Sequence, residues 1–220
     1  TLLAGEGIIE RRHGSGMYVC HARAQAVTIG IILTEAENPF LNRFLHHLTV
    51  MKDRHDLTII AKVSAFSAER ERIAAAELLK AGARGILLLP EPRGVNSRHF
   101  QAIIKRGIPV VNVIRTFGGV PSCIPDNRAI GKTAAEHLIA RGSRNLVYIG
   151  NARLRRIDER FRGFWDTARE HGVTMNSRRI VFSERENSVD AGSRSFSIAR
   201  GLCRSIDGIF AFHDLYAAGV

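Results

Sequence analysis

From Val27 onward, the chain alternates short aliphatic runs with longer stretches in which apolar residues recur every three or four positions. The short runs are rich in β-branched residues and predict buried strands, whereas the longer stretches predict amphipathic helices. One such helix ends at Gly82, and its predicted buried face consists of Ile73, Ala76, Leu78 and Leu79. The predicted strands cover residues 27–33, 57–63, 85–89, 108–113, 122–124, 146–149, 180–182 and 208–212.

Strands this apolar need cover on both faces, because a sheet face exposed to water carries polar residues at every second position. Helices that alternate with the strands supply that cover in a parallel sheet, so the pattern predicts the α/β class. The segment 121–126 interrupts the alternation, and we expect two similar lobes, at about 27–124 and about 125–220. Ligands of open parallel sheets bind at the carboxyl ends of the strands, so the loops there are the expected functional region.

Residues 1–26 do not follow this pattern. They predict the end of a helix and then a β-hairpin over 8–19, whose tight, basic turn is 12–16. One interpretation is an ordinary terminal hairpin whose glycines permit positive φ. The other is a wing, in which small residues let the backbone approach a DNA groove while Arg11 and Arg12 reach phosphates or the minor groove. The residues alone favour the ordinary hairpin.

Composition narrows the class of protein. The longest apolar runs are too short to cross a bilayer, and the N-terminus lacks the features of an export signal, so we expect a cytoplasmic protein with no membrane partner. The formal net charge is +11. Because this excess is spread along the chain rather than clustered on one arm, the charge alone is poor evidence for a nucleic-acid partner.

No enzyme site is recognisable in the sequence. The three cysteines lie too far apart for a zinc site or a disulfide framework, and the nine histidines lack metal-binding spacing. The sequence also contains neither the Gly-x-Ser-x-Gly turn of a serine nucleophile nor a Walker-type loop. We therefore expect no metal, no cofactor and no catalytic activity.

The hairpin segment Glu6–Val19 (EGIIERRHGSGMYV) resembles the wing of the gluconate-repressor (GntR) winged-helix family. The resemblance implies that residues 1–20 end a DNA-binding domain and that 21–26 are a linker. The implied DNA-binding residues are Arg11, Arg12, His13, Gly14, Ser15 and Gly16. The helix-turn-helix that reads base edges in this family would precede Thr1, so we expect the chain as it stands to bind DNA poorly.

Residues 27–220 resemble the effector domain of the lactose/galactose-repressor (LacI) family, whose two-lobed fold is shared with periplasmic sugar-binding proteins. The resemblance implies a periplasmic-binding-protein-like fold that binds its ligand between the lobes. It also implies that the last β/α units of the family would follow Val220, so we expect a fragment whose C-terminal part is missing. The matching motifs, in order, are Asn38-Pro39-Phe40, Gly85–Pro90, Ile108–Val111, Asp126 with Gly131 and His137–Gly142, Tyr148–Gly150, Glu159–Phe164, and Asp207–Asp214 with Ala218-Gly219.

Two of these motifs carry the charged candidates for ligand binding. Arg160 lies three residues before Gly163, a position from which this family sends an arginine into the cleft; the alternative is an exposed helix charge. Asp214 follows a strand, and its carboxylate is suited to accept hydroxyl hydrogens; the alternative is a helix N-cap. His213 stands where the family usually has Asn.

Asn38 and Phe40 are the candidates in the loop after the first strand of the effector domain. We expect the amide to hydrogen-bond the ligand and the ring to stack on a sugar face, although Phe40 is equally suited to the core. Asp126 and Ser67 are expected to be helix N-caps, with ligand contact as the alternative for Asp126.

Together the two resemblances imply a ligand-responsive repressor that works as a homodimer, with a DNA operator and a sugar-like effector as partners. This pairing of domains is found in arabinose-responsive repressors. The alternative is a solute-binding protein of the same fold that feeds a transporter, which the wing-like N-terminus disfavours. A sugar-processing enzyme would need a nucleophile or an acid/base pair that the sequence does not contain. The identity of the effector, the operator, and the direction of the response stay open.

Overall fold

A computed structural model of the chain describes residues 9–12, 16–19 and 26–220. The chain divides into two compact units, with the boundary between Ser122 and Cys123. We call them the N-terminal unit and the C-terminal unit. The sequence pattern places this boundary two residues later, at 124.

The N-terminal unit begins with the predicted hairpin. Strands β1 (Ile9–Arg12) and β2 (Gly16–Val19) pair in antiparallel fashion, which confirms the hairpin. Arg12 and Gly16, which were predicted to belong to the turn, are the last pair of the ladder. The remaining elements are β3 (Val27–Leu33), α1 (Pro39–Arg54), β4 (Leu57–Val63), α2 (Ala68–Lys80), β5 (Gly85–Leu88), α3 (Ser97–Lys105), β6 (Val110–Val113) and β7 (Ser122–Cys123), a short strand that contains the boundary.

Five of these strands form one sheet in the order β4-β3-β5-β6-β7, and β3, β4, β5 and β6 run parallel to one another. Ile31 and Leu33 of β3 belong to one apolar cluster and Ile32 to another. Since neighbouring residues of a strand point to opposite faces, the sheet has a core on each side. The predicted cover on both faces is confirmed, and so is the α/β class.

The C-terminal unit repeats the same design on a smaller scale. Its elements are α4 (Asn127–Ala140), β8 (Leu146–Ile149), α5 (Glu159–Glu170), a 3₁₀ turn (Ser177–Arg179), β9 (Ile180–Val181), α6 (Val189–Leu202), β10 (Gly208–Ala211) and α7 (Asp214–Ala218). The strands form a parallel sheet in the order β10-β8-β9. Tyr148 of the central strand is completely buried, and its ring lies 5.2–5.9 Å, centroid to centroid, from the rings of Phe161, Phe164, Phe182 and Phe210.

Helices α4 and α5 touch through two glycines. A Cβ atom at Gly131 would lie 2.0 Å from the carbonyl oxygen of Arg160, and one at Gly163 would lie 2.0 Å from the carbonyl oxygen of Arg128. No side chain fits at such distances, so the helix backbones are in direct contact. This contact fixes the first turn of α5, which carries Arg160.

We expect Gly163→Ala to lower the free energy of unfolding by about 1–3 kcal/mol, because the added methyl group forces the two helices apart. Gly201→Ala in α6 is the matched control, since nothing lies within 4 Å of a Cβ at Gly201. That control is expected to raise stability by about 0.5–1 kcal/mol through helix propensity. Urea denaturation measures both values, and equal effects of the two substitutions would contradict the close contact.

Candidate functional site

The expected functional region of each unit is its carboxyl-end edge, which we define as the loops that follow its parallel strands. Because the strands are parallel, these loops all lie at one edge of their sheet. In the N-terminal unit they are residues 34–38, 64–67, 89–96 and 114–121, and in the C-terminal unit they are residues 150–158, 182–188 and 212–213.

Asn38 is the N-cap of α1. Its Oδ1 accepts a hydrogen bond of 3.0 Å from the backbone N–H of Phe40, and its Nδ2 donates to Glu35 Oε1 at 2.8 Å. Pro39 follows at the first helical position, where its missing N–H costs nothing. The amide therefore has a structural role that the sequence analysis did not identify, and a ligand must share or replace these bonds.

Phe40 lies at the same edge, and 56% of its surface is exposed. The interpretation that places it in the core is wrong, because the buried stripe of α1 begins one residue later. Leu41 is buried, and Phe44, Leu45 and Leu48 pack against the same cluster. The Phe40 ring is thus exposed at the start of the helix.

The edge of the N-terminal unit also carries a charged cluster that the sequence analysis missed. Glu71 and Glu91 are 1% and 4% exposed. The Glu71 carboxylate accepts hydrogen bonds from the backbone N–H of Glu91 at 2.6 Å and from Asn96 Nδ2 at 3.1 Å. Glu91 accepts from the backbone N–H groups of Arg93 and Gly94. Burial raises the pKa of Glu71 above its ordinary value, and the hydrogen bonds oppose this shift.

Arg115 completes this cluster. Its Nη1 donates to the carbonyl oxygen of Pro90, and burial lowers its pKa to about 10, against the attraction of Glu35, Glu91 and Glu71. The residue before it, Ile114, has a φ of 68°, a left-handed conformation that a β-branched residue rarely adopts. Ala65 and Phe66 on the same edge also have positive φ. Strain of this kind concentrates at functional sites, which favours this edge as a site.

In the C-terminal unit, Arg160 is half-buried and tied to two other segments. Its Nε donates to Asn127 Oδ1 at 2.8 Å, and its Nη1 donates to the carbonyl oxygen of Phe212 at 2.7 Å. The guanidinium carbon lies 5.2 Å from the centroid of the Phe212 ring, within the range of a cation–π contact. The interpretation of Arg160 as an ordinary exposed helix charge is therefore wrong.

The helix that carries Arg160 is anchored by Asp158 and Tyr148. Asp158 is its N-cap, and its Oδ1 accepts from the backbone N–H of Phe161 at 3.1 Å. Its other oxygen accepts from the hydroxyl of buried Tyr148. Burial raises the pKa of Asp158, whereas this hydroxyl and Arg160 act in the opposite direction. The start of α5 is thus bound to the centre of the aromatic cluster.

Asp214 is exposed at the first position of α7, at the same edge of the sheet as Arg160. The alternative that it caps this helix is wrong, because the cap is His213, whose Nδ1 accepts from the backbone N–H of Leu215 at 3.1 Å. The Nε2 atom of His213 is buried and has no hydrogen-bond partner among the described residues. Burial lowers the pKa of His213 to about 4; Arg160 acts in the same direction and Asp214 in the opposite one.

The other predicted residues are two helix caps and the expected DNA-binding residues of the hairpin. Ser67 and Asp126 are N-caps, as predicted, with Oγ and Oδ1 accepting from the backbone N–H groups of Arg70 and Ala129. Of the expected DNA-binding residues, Arg11, Arg12 and Gly16 lie in the hairpin strands. His13, Gly14 and Ser15 lie outside the described residues.

Within the ranges that the structure describes, no group of three or more His, Cys, Asp or Glu residues is arranged to hold a metal ion. None of the helices in those ranges has the length and apolar character that a membrane crossing requires.

Comparison with known proteins gives a family match and several relatives. A family model described as periplasmic binding proteins and the sugar-binding domain of the LacI family matches residues 26–195. The HTH-type transcriptional regulator GalR of Escherichia coli is 21% identical over 201 residues, which are 90% of this chain and 57% of that protein. The HTH-type transcriptional regulator GntR of Pseudomonas aeruginosa is 26% identical over 200 residues, with 90% and 57% covered. The chain thus spans little more than half the length of these relatives.

Solved structures of transcription regulators share the fold. The repressor ascG of Escherichia coli matches with a TM-score of 0.70 and 21% identity over 88% of this chain and 70% of that one. A regulator GntR from Chromobacterium violaceum matches with a TM-score of 0.78 and 16% identity over 87% and 70%. The Cra regulator of Pseudomonas putida, in complex with fructose 1-phosphate, matches with a TM-score of 0.75 and 20% identity over 87% and 71%.

The half-buried ring of His213, with its Nε2 atom buried, predicts a dependence of stability on pH. The unfolded chain binds a proton at this histidine below about pH 6.5, whereas the folded protein does so only near pH 4. The contribution of this group to the free energy of unfolding is therefore fully present above about pH 6.5 and is lost as the pH falls to about 4. We expect His213→Asn, which retains a capping oxygen, to reduce the loss of unfolding free energy between pH 7 and pH 4 by about 2 kcal/mol.

Urea denaturation at several pH values measures this difference. His47→Asn, at an exposed position of α1, is the control. Identical pH profiles for His213→Asn and the unsubstituted chain would contradict the assignment.

Proposed function

We infer the function from one premise, which is that the chain belongs to the family of periplasmic binding proteins and sugar-binding domains of the LacI type. The relatives that it matches are transcription regulators. We propose that this chain binds a small, hydroxyl-rich metabolite, such as a sugar or a sugar derivative, and that it acts as the sensor of a transcription repressor. The proposal assigns it no catalytic role, no metal and no cofactor.

The observation that carries this proposal is the fixed position of Arg160. Its guanidinium uses two N–H groups to hold the loop after β10 and the start of α4, and it stacks on Phe212. A planar donor group held in this way can direct its remaining N–H groups at a ligand oxygen without losing much side-chain entropy on binding. Asp214 follows in the same loop and helix start, where its carboxylate is available to accept hydroxyl hydrogens.

Phe40 and Asn38 are the proposed ligand residues of the N-terminal unit. An exposed aromatic ring at the carboxyl end of a strand is suited to stack on the C–H face of a sugar. The Asn38 amide lies two residues away and already bonds Glu35, so we propose that it contributes through this shared hydrogen-bond network. The strained backbone at Ile114 and the buried carboxylates nearby support the same edge.

DNA is the second proposed partner. The antiparallel hairpin of β1 and β2 has the strand pairing of a wing, and Arg11 and Arg12 in β1 are the proposed contacts to the phosphate backbone. His13, Gly14, Ser15 and Gly16 are the further proposed DNA-binding residues. We further propose a homodimer that acts on an operator in the cytoplasm. A transporter-associated solute-binding protein has the same fold, but nothing in its role requires a basic hairpin of this kind.

A ligand screen tests the proposed sensor. A ligand that binds only the folded state raises the melting temperature, so the chain is heated with neutral hexoses, pentoses, sugar acids and sugar phosphates in turn. We expect at least one of these classes to raise the melting temperature in a concentration-dependent manner. Hydrolysis of the bound compound would instead support the alternative that the protein is a sugar-processing enzyme.

Phe40→Ala separates ligand stacking from folding. Because the ring is exposed, we expect the melting temperature without ligand to stay nearly constant, with a stability change within about 0.5 kcal/mol. Affinity for the ligand found in the screen is expected to fall about tenfold, which corresponds to about 1.4 kcal/mol of lost stacking. Titration calorimetry measures the affinity. Met51→Ala, at another exposed apolar position on α1, is the control, and an equal loss of affinity in both variants would refute the stacking role.

A further inference from the structure

The carboxyl-end edge of the C-terminal unit is rich in arginine. The loop 150–158 after β8 contains Arg153, Arg155 and Arg156, all of them exposed, and Arg160 follows two residues later in α5. In a chain with only five lysines, the positive charge of this edge comes from planar guanidinium groups. Such groups donate paired hydrogen bonds to a carboxylate or a phosphate in a way that lysine cannot.

Most carboxylates at this edge are already neutralised by cations from elsewhere. Arg194 of α6 pairs with both Glu184 and Glu186. Glu159 pairs with Arg162 at 2.6 Å and lies 3.8 Å from Arg128.

Asp158 is buried and accepts its hydrogen bonds from Tyr148 and from the backbone of α5. None of the ion pairs within the described part of the chain includes Arg155 or Arg160. Asp214 is then the carboxylate left at this edge to balance them.

Two of the arginines are held over aromatic rings. The guanidinium carbon of Arg155 lies 5.9 Å from the ring centroid of Phe182, and that of Arg160 lies 5.2 Å from the ring centroid of Phe212. Phe182 and Phe212 are the residues directly after β9 and β10. These strands flank β8 on its two sides, so the two rings occupy equivalent positions at the ends of the outer strands.

The loop that carries Arg153 and Arg155 is fastened to the loop after β9. The backbone N–H of Ala152 donates to the carbonyl oxygen of Glu184 at 2.7 Å. Buried Asn151 donates to the carbonyl oxygen of Arg185 at 3.1 Å and accepts from the backbone N–H of Arg153 at 2.8 Å. Arg153 Nε donates to the same carbonyl of Arg185 at 2.9 Å. The arginines are therefore presented by a fixed platform.

We propose that this edge binds the anionic group, a phosphate or a carboxylate, of the metabolite that the chain senses, with Arg155 and Arg160 as its principal contacts and Arg153 beside them. This inference rests on the proposed function and narrows its ligand to an anionic sugar derivative. A neutral sugar could engage Arg160 and Asp214 but would leave the charge of Arg155 without a counterpart. An oxyanion uses the geometry of the guanidinium groups and offsets the excess charge.

Binding of glucose, glucose 6-phosphate and gluconate to the full chain tests the proposal. Titration calorimetry at low and at physiological salt gives the affinities, and thermal shifts give an independent readout. We expect glucose 6-phosphate or gluconate to bind more tightly than glucose, with an affinity that falls as salt rises. The phosphate and the carboxylate probes distinguish the two anionic groups, and preference for either one supports the inference.

Arg155→Gln and Arg200→Gln form a matched pair of variants. Arg200 also stacks on a phenylalanine, Phe196, at 6.0 Å, but it lies in the last turn of α6, beside residues that precede β10. Both arginines are exposed, so neither substitution is expected to unfold the protein. We expect Arg155→Gln to weaken the anionic probe about tenfold or more and to reduce its salt dependence, whereas Arg200→Gln leaves both within about twofold.

Three results would overturn the proposal. Tighter binding of glucose than of either anion, unaffected by Arg155→Gln, would refute the anionic ligand but leave the sensor function intact. A loss of DNA affinity in Arg155→Gln without any change toward the anions would reassign the platform to DNA. Failure of all three probes, together with failure of the wider screen, would refute the sensor function and this inference together.

Discussion

The parallel arrangement of strands in each unit is the constraint on which the rest of the structure depends. Strands such as β3, with Ile31, Ile32 and Leu33 almost fully buried, cannot expose either face to water. Helices must then return the chain across both faces before the next parallel strand begins. All loops after the strands consequently gather at one edge, where residues as distant in sequence as Arg160 and Phe212 come into hydrogen-bonding distance.

That edge is useful only because its supporting helices are fixed. In the C-terminal unit, the glycines of α4 and α5 bring the two backbones into contact, and Asp158 ties the start of α5 to the buried hydroxyl of Tyr148. A hydroxyl group placed among aromatic rings requires a partner, and Asp158 supplies it while also capping the helix. The aromatic core thus sets the position of Arg160 through a chain of short-range contacts, and the free energy of folding, rather than that of binding, orients the guanidinium.

The α/β class, nearly all strands and helices, the hairpin and the caps Ser67 and Asp126 could be predicted from the sequence, because each depends on local periodicity or on a side chain next to its own helix. The buried face of α2 could not. Ile73 is 47% exposed, whereas Glu71 is buried. The buried carboxylate of Glu71 is stabilised by hydrogen bonds from the backbone of Glu91 and the amide of Asn96, which lie in a distant loop. The capping roles of Asn38 and His213 were missed for a related reason. Asn38 was assessed as a ligand contact and His213 as a departure from the family motif, each from its position in the sequence, whereas in the fold each side chain accepts a hydrogen bond from a helix N–H group.

The distribution of charge shows the same difference between sequence and structure. Along the chain, the net charge of +11 is evenly spread and indicates no particular partner. In the folded C-terminal unit, Arg194 forms ion pairs with Glu184 and Glu186, and Arg162 forms one with Glu159. Arg155, from the same stretch of sequence, lies over an aromatic ring instead. An arginine on a phenylalanine keeps its full charge and most of its hydrogen-bond donors, because a ring face attracts the cation without accepting its N–H groups as a carboxylate does. The capacity of this edge to select an anion therefore depends on which arginines are paired, and pairing is a property of the fold.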